Sequence, residues 1–247
     1  MEETMYDKLL QLPLFQGICK NDFTTILEKV KLHFHKYTPN TSIVKQGTTC
    51  KQLIFTLSGS VQSESADSRH SYTIEETFTG PHVIEPYSLF GMHTSYTASY
   101  KALTEVTALI IDKSYVVAQL NNYEIFRLNY LNILSNRAQT IYNKLWNAHI
   151  GNTRNKIINF LLLRCASQTG PKTLYIKMEV LAELIDDTRI NVSKALNEFQ
   201  QQGLAELSRK KIIIPELKPL AEEYENSFTL HSLMRISSWL SDSKIKN

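Results

Sequence analysis

Seven consecutive residues, Thr188-Arg189-Ile190-Asn191-Val192-Ser193-Lys194, place a guanidinium, an amide and an ammonium just behind a hydroxyl suited to starting a helix. On a helix opening at Thr188, Arg189, Asn191 and Lys194 are expected on the outer face. Their chemistry is recognition: a guanidinium suits the O6 and N7 edge of guanine, an amide suits adenine, and an ammonium suits a phosphate. A second basic group, Ser208-Arg209-Lys210-Lys211, sits between two short apolar runs and is suited to backbone phosphates.

The surrounding residues form the frame for those side chains. In Val180–Gly203, Val180, Leu181 and Leu184 share one helical face with Ala182 and Ile185 beside them. Val192, Ala195, Leu196 and Phe199 recur at three- and four-residue steps, which predicts a second helix capped by Thr188 and stopped by Gly203. Leu204–Leu207 and Ile212–Pro215 then read as strands around the basic turn. The pattern is helix, tight turn, helix, wing, and the start of such a second helix is the part that enters the major groove of DNA.

Composition narrows the class. The chain has 247 residues, 43% of them hydrophobic, which predicts one or two ordinary globular domains. Net charge is only +3, but residues 151–215 hold 10 basic and 6 acidic side chains against 10 and 12 in residues 1–120, so positive charge gathers around the helix pair. There is no apolar run long enough to span a bilayer, and Met1–Lys20 is charged and mixed, so a cytoplasmic protein without membrane attachment is expected. Cys19, Cys50 and Cys165 are widely spaced and predict neither a disulfide framework nor a metal site. His33 and His35 read as a solvated strand face, and no metal or cofactor is expected. The chain also lacks a nucleophile–base pair, an HExxH motif and a glycine-rich phosphate loop. Asp186-Asp187 reads as acids near a helix N-terminus, so an enzyme is not expected.

Upstream, short helices over Glu2–Leu14 and Asn21–Val30 give way at Lys31 to period-two alternation. Strands are predicted at 32–37, 42–44, 52–57, 61–65, 71–78 and 99–111, as in an antiparallel barrel or sandwich. Leu120–Ile150 then runs without Pro or Gly. Leu131, Ala138 and Leu145 fall at one heptad position and Leu134, Ile141 and Ala148 at another, which predicts a seam buried against a second copy. Asn152-Thr153 caps a further helix before the helix pair. The expected fold is α+β: an effector roll over 1–119, a dimerisation helix over 120–150, a winged helix-turn-helix over 151–216, and a helical extension over 217–247 carrying Leu220, Tyr224, Phe228 and Leu233.

Ile43-Val44-Lys45-Gln46-Gly47 followed by Leu53-Ile54-Phe55-Thr56-Leu57-Ser58-Gly59-Ser60-Val61 resembles the β-roll of cyclic-nucleotide-binding domains, with two glycines turning the chain at that spacing. With the helices that follow, the chain resembles the superfamily of bacterial transcription factors named for the cyclic-AMP receptor protein and the fumarate-nitrate regulator (Crp/Fnr). The resemblance places Glu85 where the family glutamate takes the ribose hydroxyl. The family glycine before it is Ile84, and Pro86 after it removes an amide from the phosphate-cradling loop. The phosphate-binding arginine falls on Tyr96, or on Ser95, and Thr97 takes the hydroxyl position. An unpaired phosphate in a roll is costly, so cyclic AMP is not expected as effector. Tyr87, Phe90, Met92, His93, Tyr96 and Tyr100 suit a different small molecule, or fill the roll. On the reading helix, Ile190 replaces the family glutamate, so the cytosine contact is lost and a methyl contact to thymine can take its place. The resemblance implies a homodimer on near-palindromic double-stranded DNA that recruits or blocks RNA polymerase. The alternative is a ligand-sensing or protein-interaction module without specific DNA binding.

Overall fold

The computed structural model describes residues 5–146 and 151–226. In chain order its elements are helices α1 (Met5–Leu10) and α2 (Lys20–Lys29), strands β1 (His33–Tyr37), β2 (Ser42–Val44), β3 (Gln52–Ser58), β4 (Ser60–Ala66), β5 (Tyr72–Thr79), β6 (His82–Ile84), β7 (Ser99–Ala102) and β8 (Val106–Asp112), and helices α3 (Lys113–Ala118), α4 (Glu124–Trp146) and α5 (Thr153–Arg164). Strand β9 (Lys172–Ile176), helices α6 (Met178–Leu184) and α7 (Arg189–Gln201), and strands β10 (Glu206–Ser208) and β11 (Lys211–Ile214) follow. Residues 218–226 are helical. Two compact units result, Met1–Asn143 and Lys144–Asn247.

In the first unit, Leu53–Leu57 is buried at every position, because β3 lies between β8 and β6 in the antiparallel order β1-β8-β3-β6. A second antiparallel set runs β5-β4-β7-β2. The expected single strand over 99–111 is two strands in different sets. The chain changes sheet at Leu103–Glu105, where the Leu103 amide donates to the Ser60 carbonyl at 2.8 Å. Gly59 makes that change possible. Its φ is +89°, and a Cβ there would stand 2.2 Å from the Glu105 carbonyl oxygen, so only glycine fits.

The N-terminal helix is shorter than expected. It stops at Leu10, and Leu12, Leu14 and Phe15 bury themselves as a turn around Pro13. Phe15 meets Phe23, Phe55 and Phe126 at ring-centroid distances of 5.5–5.6 Å, tying α2, β3 and the start of α4 into one core. His33 and His35 are exposed on edge strand β1, with the His35 ring 4.4 Å from that of Tyr37.

In the second unit, β10-β11-β9 forms a small antiparallel sheet with Ser208 opposite Lys211 across the wing turn. Leu181, Ala182, Ile185, Val192, Ala195, Leu196 and Phe199 are buried between the helices. Leu184, expected inward, is 37% exposed. It closes the last turn of α6, and the next inward position is taken by Ile185. Leu217, Leu220, Ala221 and Tyr224 pack helix 218–226 into the same core. Phe228 and Leu233 lie outside the described residues, as does Ala148.

Candidate nucleic-acid interface and effector chamber

Helix α7 starts where its cap dictates. The Thr188 hydroxyl accepts from the Asn191 amide at 3.2 Å, satisfying one of the free donors of the first turn. Asp187 organises the turn before it: one carboxylate oxygen accepts from the Thr188 amide (2.7 Å) and the Asn191 side chain (2.9 Å), the other from the Thr153 hydroxyl (2.8 Å), with the Lys156 ammonium at 3.8 Å. Partial burial raises the Asp187 pKa, but these donors outweigh it and hold the carboxyl below its ordinary value.

The outer face of α7 is a shallow open groove lined by Arg189, Ile190, Ser193, Lys194, Asn197, Glu198 and Gln201. Ile190 is 81% exposed, a large apolar side chain standing in water at the start of a polar face. Arg189 and Lys194 lie where the sequence places them. Asn191 does not share this groove: at one flank of the helix, its amide is tied back to Asp187. Ser193 and Asn197 join the face, and the three- and four-residue spacing from Lys194 and Ile190 was the signal for them.

A second hollow lies between α6 and the wing, lined by Lys177, Glu179, Arg189 and residues 207–212. Ser208, Arg209 and Lys210 are exposed at the wing tip, with Lys210 at a φ of +59°. Lys211 differs from them. It is half-buried, with its ammonium 5.7 Å from the centre of the Tyr175 ring. Arg154 braces the unit from behind, forking onto Glu223 at 2.9 Å, reaching Gln202 at 2.9 Å and stacking 4.3 Å from the Phe199 ring. Helix 218–226 is thereby clasped to the end of the reading helix.

Along α4, Phe126 and Tyr130 are buried on the roll and Leu134 is packed partly against it. The exposed stripe is Leu128, Leu131, Ser135, Ala138, Tyr142 and Leu145, spaced three and four residues apart. Leu131, Ala138 and Leu145 of the expected seam lie on it. Leu134 and Ile141 are half-buried beside it.

Inside the roll, Glu85 is 2% exposed and sits at a φ of +37°, ahead of a 3-10 turn over Pro86–Ser88. Both its oxygens are engaged: one accepts from the Ser88 hydroxyl (2.8 Å) and the Thr97 amide (2.7 Å), the other from the Ala98 amide (2.9 Å). The Tyr130 hydroxyl donates to the Pro86 carbonyl. Tyr96 and Tyr100 are buried, and burial together with the negative charge of Glu85 pushes the Tyr100 hydroxyl up. Tyr87 is half-buried and likewise raised, first by burial and then by Glu85, while the Thr97 hydroxyl and Arg137 oppose the shift. Phe90 is 37% exposed and Met92 95% exposed, and His93 is exposed too, so these three stand outside the roll interior that they were expected to line. Lys101 faces solvent on β7. A cation does approach from α4, where the Arg137 guanidinium lies 5.4 Å from the Tyr87 ring centre. It escaped the sequence reading because it belongs to a helix remote in sequence from the loop.

A family model of the cyclic nucleotide-binding domain matches residues 34–123, and one of the Crp-like helix-turn-helix domain matches residues 155–223. The chain belongs to the Crp/Fnr superfamily. Its architecture is that of a Crp-like DNA-binding transcription regulator. Solved structures to which it is similar include the catabolite activator protein of Thermus thermophilus (20% identity, TM-score 0.48, 87% of this chain and 99% of that one). The c-di-GMP responsive global regulator CLP of Xanthomonas campestris (16%, 0.45, 80% and 99%) and DNR of Pseudomonas aeruginosa (14%, 0.43, 90% and 98%) are others. No curated protein sequence matches the chain. Against the Crp/Fnr pattern, the glutamate position keeps its carboxylate, but that carboxylate ties its own loop together. Of the two residues that the resemblance offers for the arginine position, Tyr96 is buried and Ser95 is exposed. Among the described residues, no helix is long and apolar enough to cross a membrane.

Proposed function

We propose that this chain is a homodimeric, cytoplasmic regulator of transcription that reads a near-palindromic DNA site through α7 and acts on RNA polymerase there. The observation that carries the reading is the outer face of α7: Arg189, Ile190, Lys194 and Asn197 stand in the open, with Ser193 half-buried between them, behind a well-formed cap and flanked by Arg209 and Lys210. Side chains of this kind read base edges, and the wing cations bind phosphates. Two-fold pairing through the exposed stripe of α4 supports a palindromic site with half-sites one turn apart.

The proposed roll is degenerate as a cyclic-nucleotide site. Glu85 already takes three donors from its own fold, and a phosphate at the Tyr96 position would meet a buried phenol where a cation or several amides are needed. Selection of duplexes by the purified protein from a random pool, at physiological salt without added ligand, tests the reading. Recovery of a two-fold motif is expected. Binding that is absent, or indifferent to salt, overturns it in favour of a protein-interaction module.

A further inference from the structure

The Glu179 carboxylate, in the first turn of α6, forms an ion pair with the Nε of Arg189 at 3.0 Å. The two side chains are 64% and 69% exposed, so burial does not force the pair together. The hollow around them is strongly basic, with Lys177, Arg189, Arg209, Lys210 and Lys211 on its walls, and Glu179 is the single acid among its lining residues. A carboxylate there repels DNA phosphates and lowers affinity for every sequence alike. Its compensating effect is geometric. Arginine has five N–H donors in a rigid fork. With the Nε edge beside Glu179, the two terminal Nη groups are left to reach guanine O6 and N7 end-on. Without the anchor, Arg189 can swing to whichever phosphate is nearest.

We propose that Glu179 is a positioning residue for base discrimination: it holds Arg189 off the phosphates and presents its fork to one guanine in each half-site. The inference rests on the DNA-binding reading above. It assigns Glu179 to specificity at one base pair, with a cost in affinity everywhere else.

Two variants separate hydrogen-bond anchoring from simple charge. Glu179→Gln loses the charge but keeps an acceptor oxygen for Nε, whereas Glu179→Ala loses both. Dissociation constants are measured for the wild type, both variants and Arg189→Ala on the selected duplex, on duplexes with the guanine replaced, and on an unrelated duplex. Circular dichroism confirms that each variant is folded. Both Glu179 variants are expected to bind the unrelated duplex about 2- to 5-fold more tightly, from loss of one repulsive charge. Glu179→Gln is expected to keep the wild-type discrimination within about 2-fold. Glu179→Ala is expected to lose at least about 5-fold, approaching Arg189→Ala. Wild-type discrimination in Glu179→Ala, or equal loss in both variants, overturns the positioning role while leaving DNA binding intact. A wild-type protein that binds none of the duplexes overturns the DNA-binding reading, and this inference with it.

Discussion

Arg189 and the exposed pair Arg209–Lys210 are all cationic, yet they are expected to fail in different ways. Arg189 stands at the start of α7 and borders both the outer groove and the wing hollow, where its fork can meet a base edge. Arg189→Ala should cost about 1–3 kcal/mol on the selected site and relax one base position. Arg209→Ala and Lys210→Ala should weaken all duplexes alike and lower the salt slope by about one each, as a titration series across salt will show. An unchanged footprint for Arg189→Ala would assign the reading to Ile190, Ser193 and Lys194 instead. His82 gives a prediction on stability. Burial pushes its pKa down to about 4, and its ring stacks 4.3 Å from Phe78. Between pH 6.5 and 4 the unfolded chain therefore binds more protons than the folded one, and stability falls as pH falls through that window. At pH 5 the loss is about 2 kcal/mol relative to pH 7.5. Denaturant midpoints at the two pH values should show that excess sensitivity in the wild type and not in His82→Gln; equal sensitivity in both would place the effect elsewhere.

At the scale of elements, α4 serves two surfaces. Its N-terminal half buries Phe126 and Tyr130 on the roll, and the outward stripe through Leu131, Ala138 and Leu145 is exposed, the surface the proposed dimer would cover. Leu131 is 52% and Leu145 60% exposed, more than an isolated helix with core duties would leave in water. Leu131→Arg should therefore shift the protein from dimer to monomer in light scattering, with the far-ultraviolet circular dichroism of a folded chain retained, since each protomer's own core is untouched. A dimer that survives both Leu131→Arg and Leu145→Arg would move the interface off this stripe. Helix 218–226 shows how an element can be read in type and missed in role. Its apolar positions predicted a helix packed on the body, but its bond to the reading helix runs through Arg154 and Glu223, 69 residues apart in the chain.

For the whole molecule, the question is what signal the roll receives. Glu85 closes its own loop, and the tyrosines at positions 96 and 100 are buried. Cyclic AMP or cyclic GMP at millimolar concentration is expected to leave the melting temperature unchanged. A ligand binding the folded state stabilises it by an amount set by the ratio of its concentration to Kd, so a saturable rise of several degrees would establish a working site. The same assay across other small molecules asks whether the Tyr87 and Arg137 region takes an effector of a different class.

Local pattern was enough for the reading helix, because capping and three-to-four periodicity are properties of neighbours: Thr188, Val192, Ala195 and Phe199 declare α7 without help from the rest of the chain. The strands of the roll were legible for the same reason, through alternation and turn glycines. The sheet change at Leu103–Glu105 was not, because it depends on Gly59 approaching the Glu105 backbone across the fold. The identity of Glu85 could be matched by position, but its engagement could not, since two of its donors, the amides of Thr97 and Ala98, arrive from 12 and 13 residues further along the chain. The retreat of Asn191 onto Asp187 and the ion pair of Arg189 with Glu179 belong to the same class. Sequence determined which elements form and which chemistries they carry. Tertiary packing decided which of those side chains remain free to act, because a hydrogen bond made within the fold removes a group from recognition as surely as a substitution does.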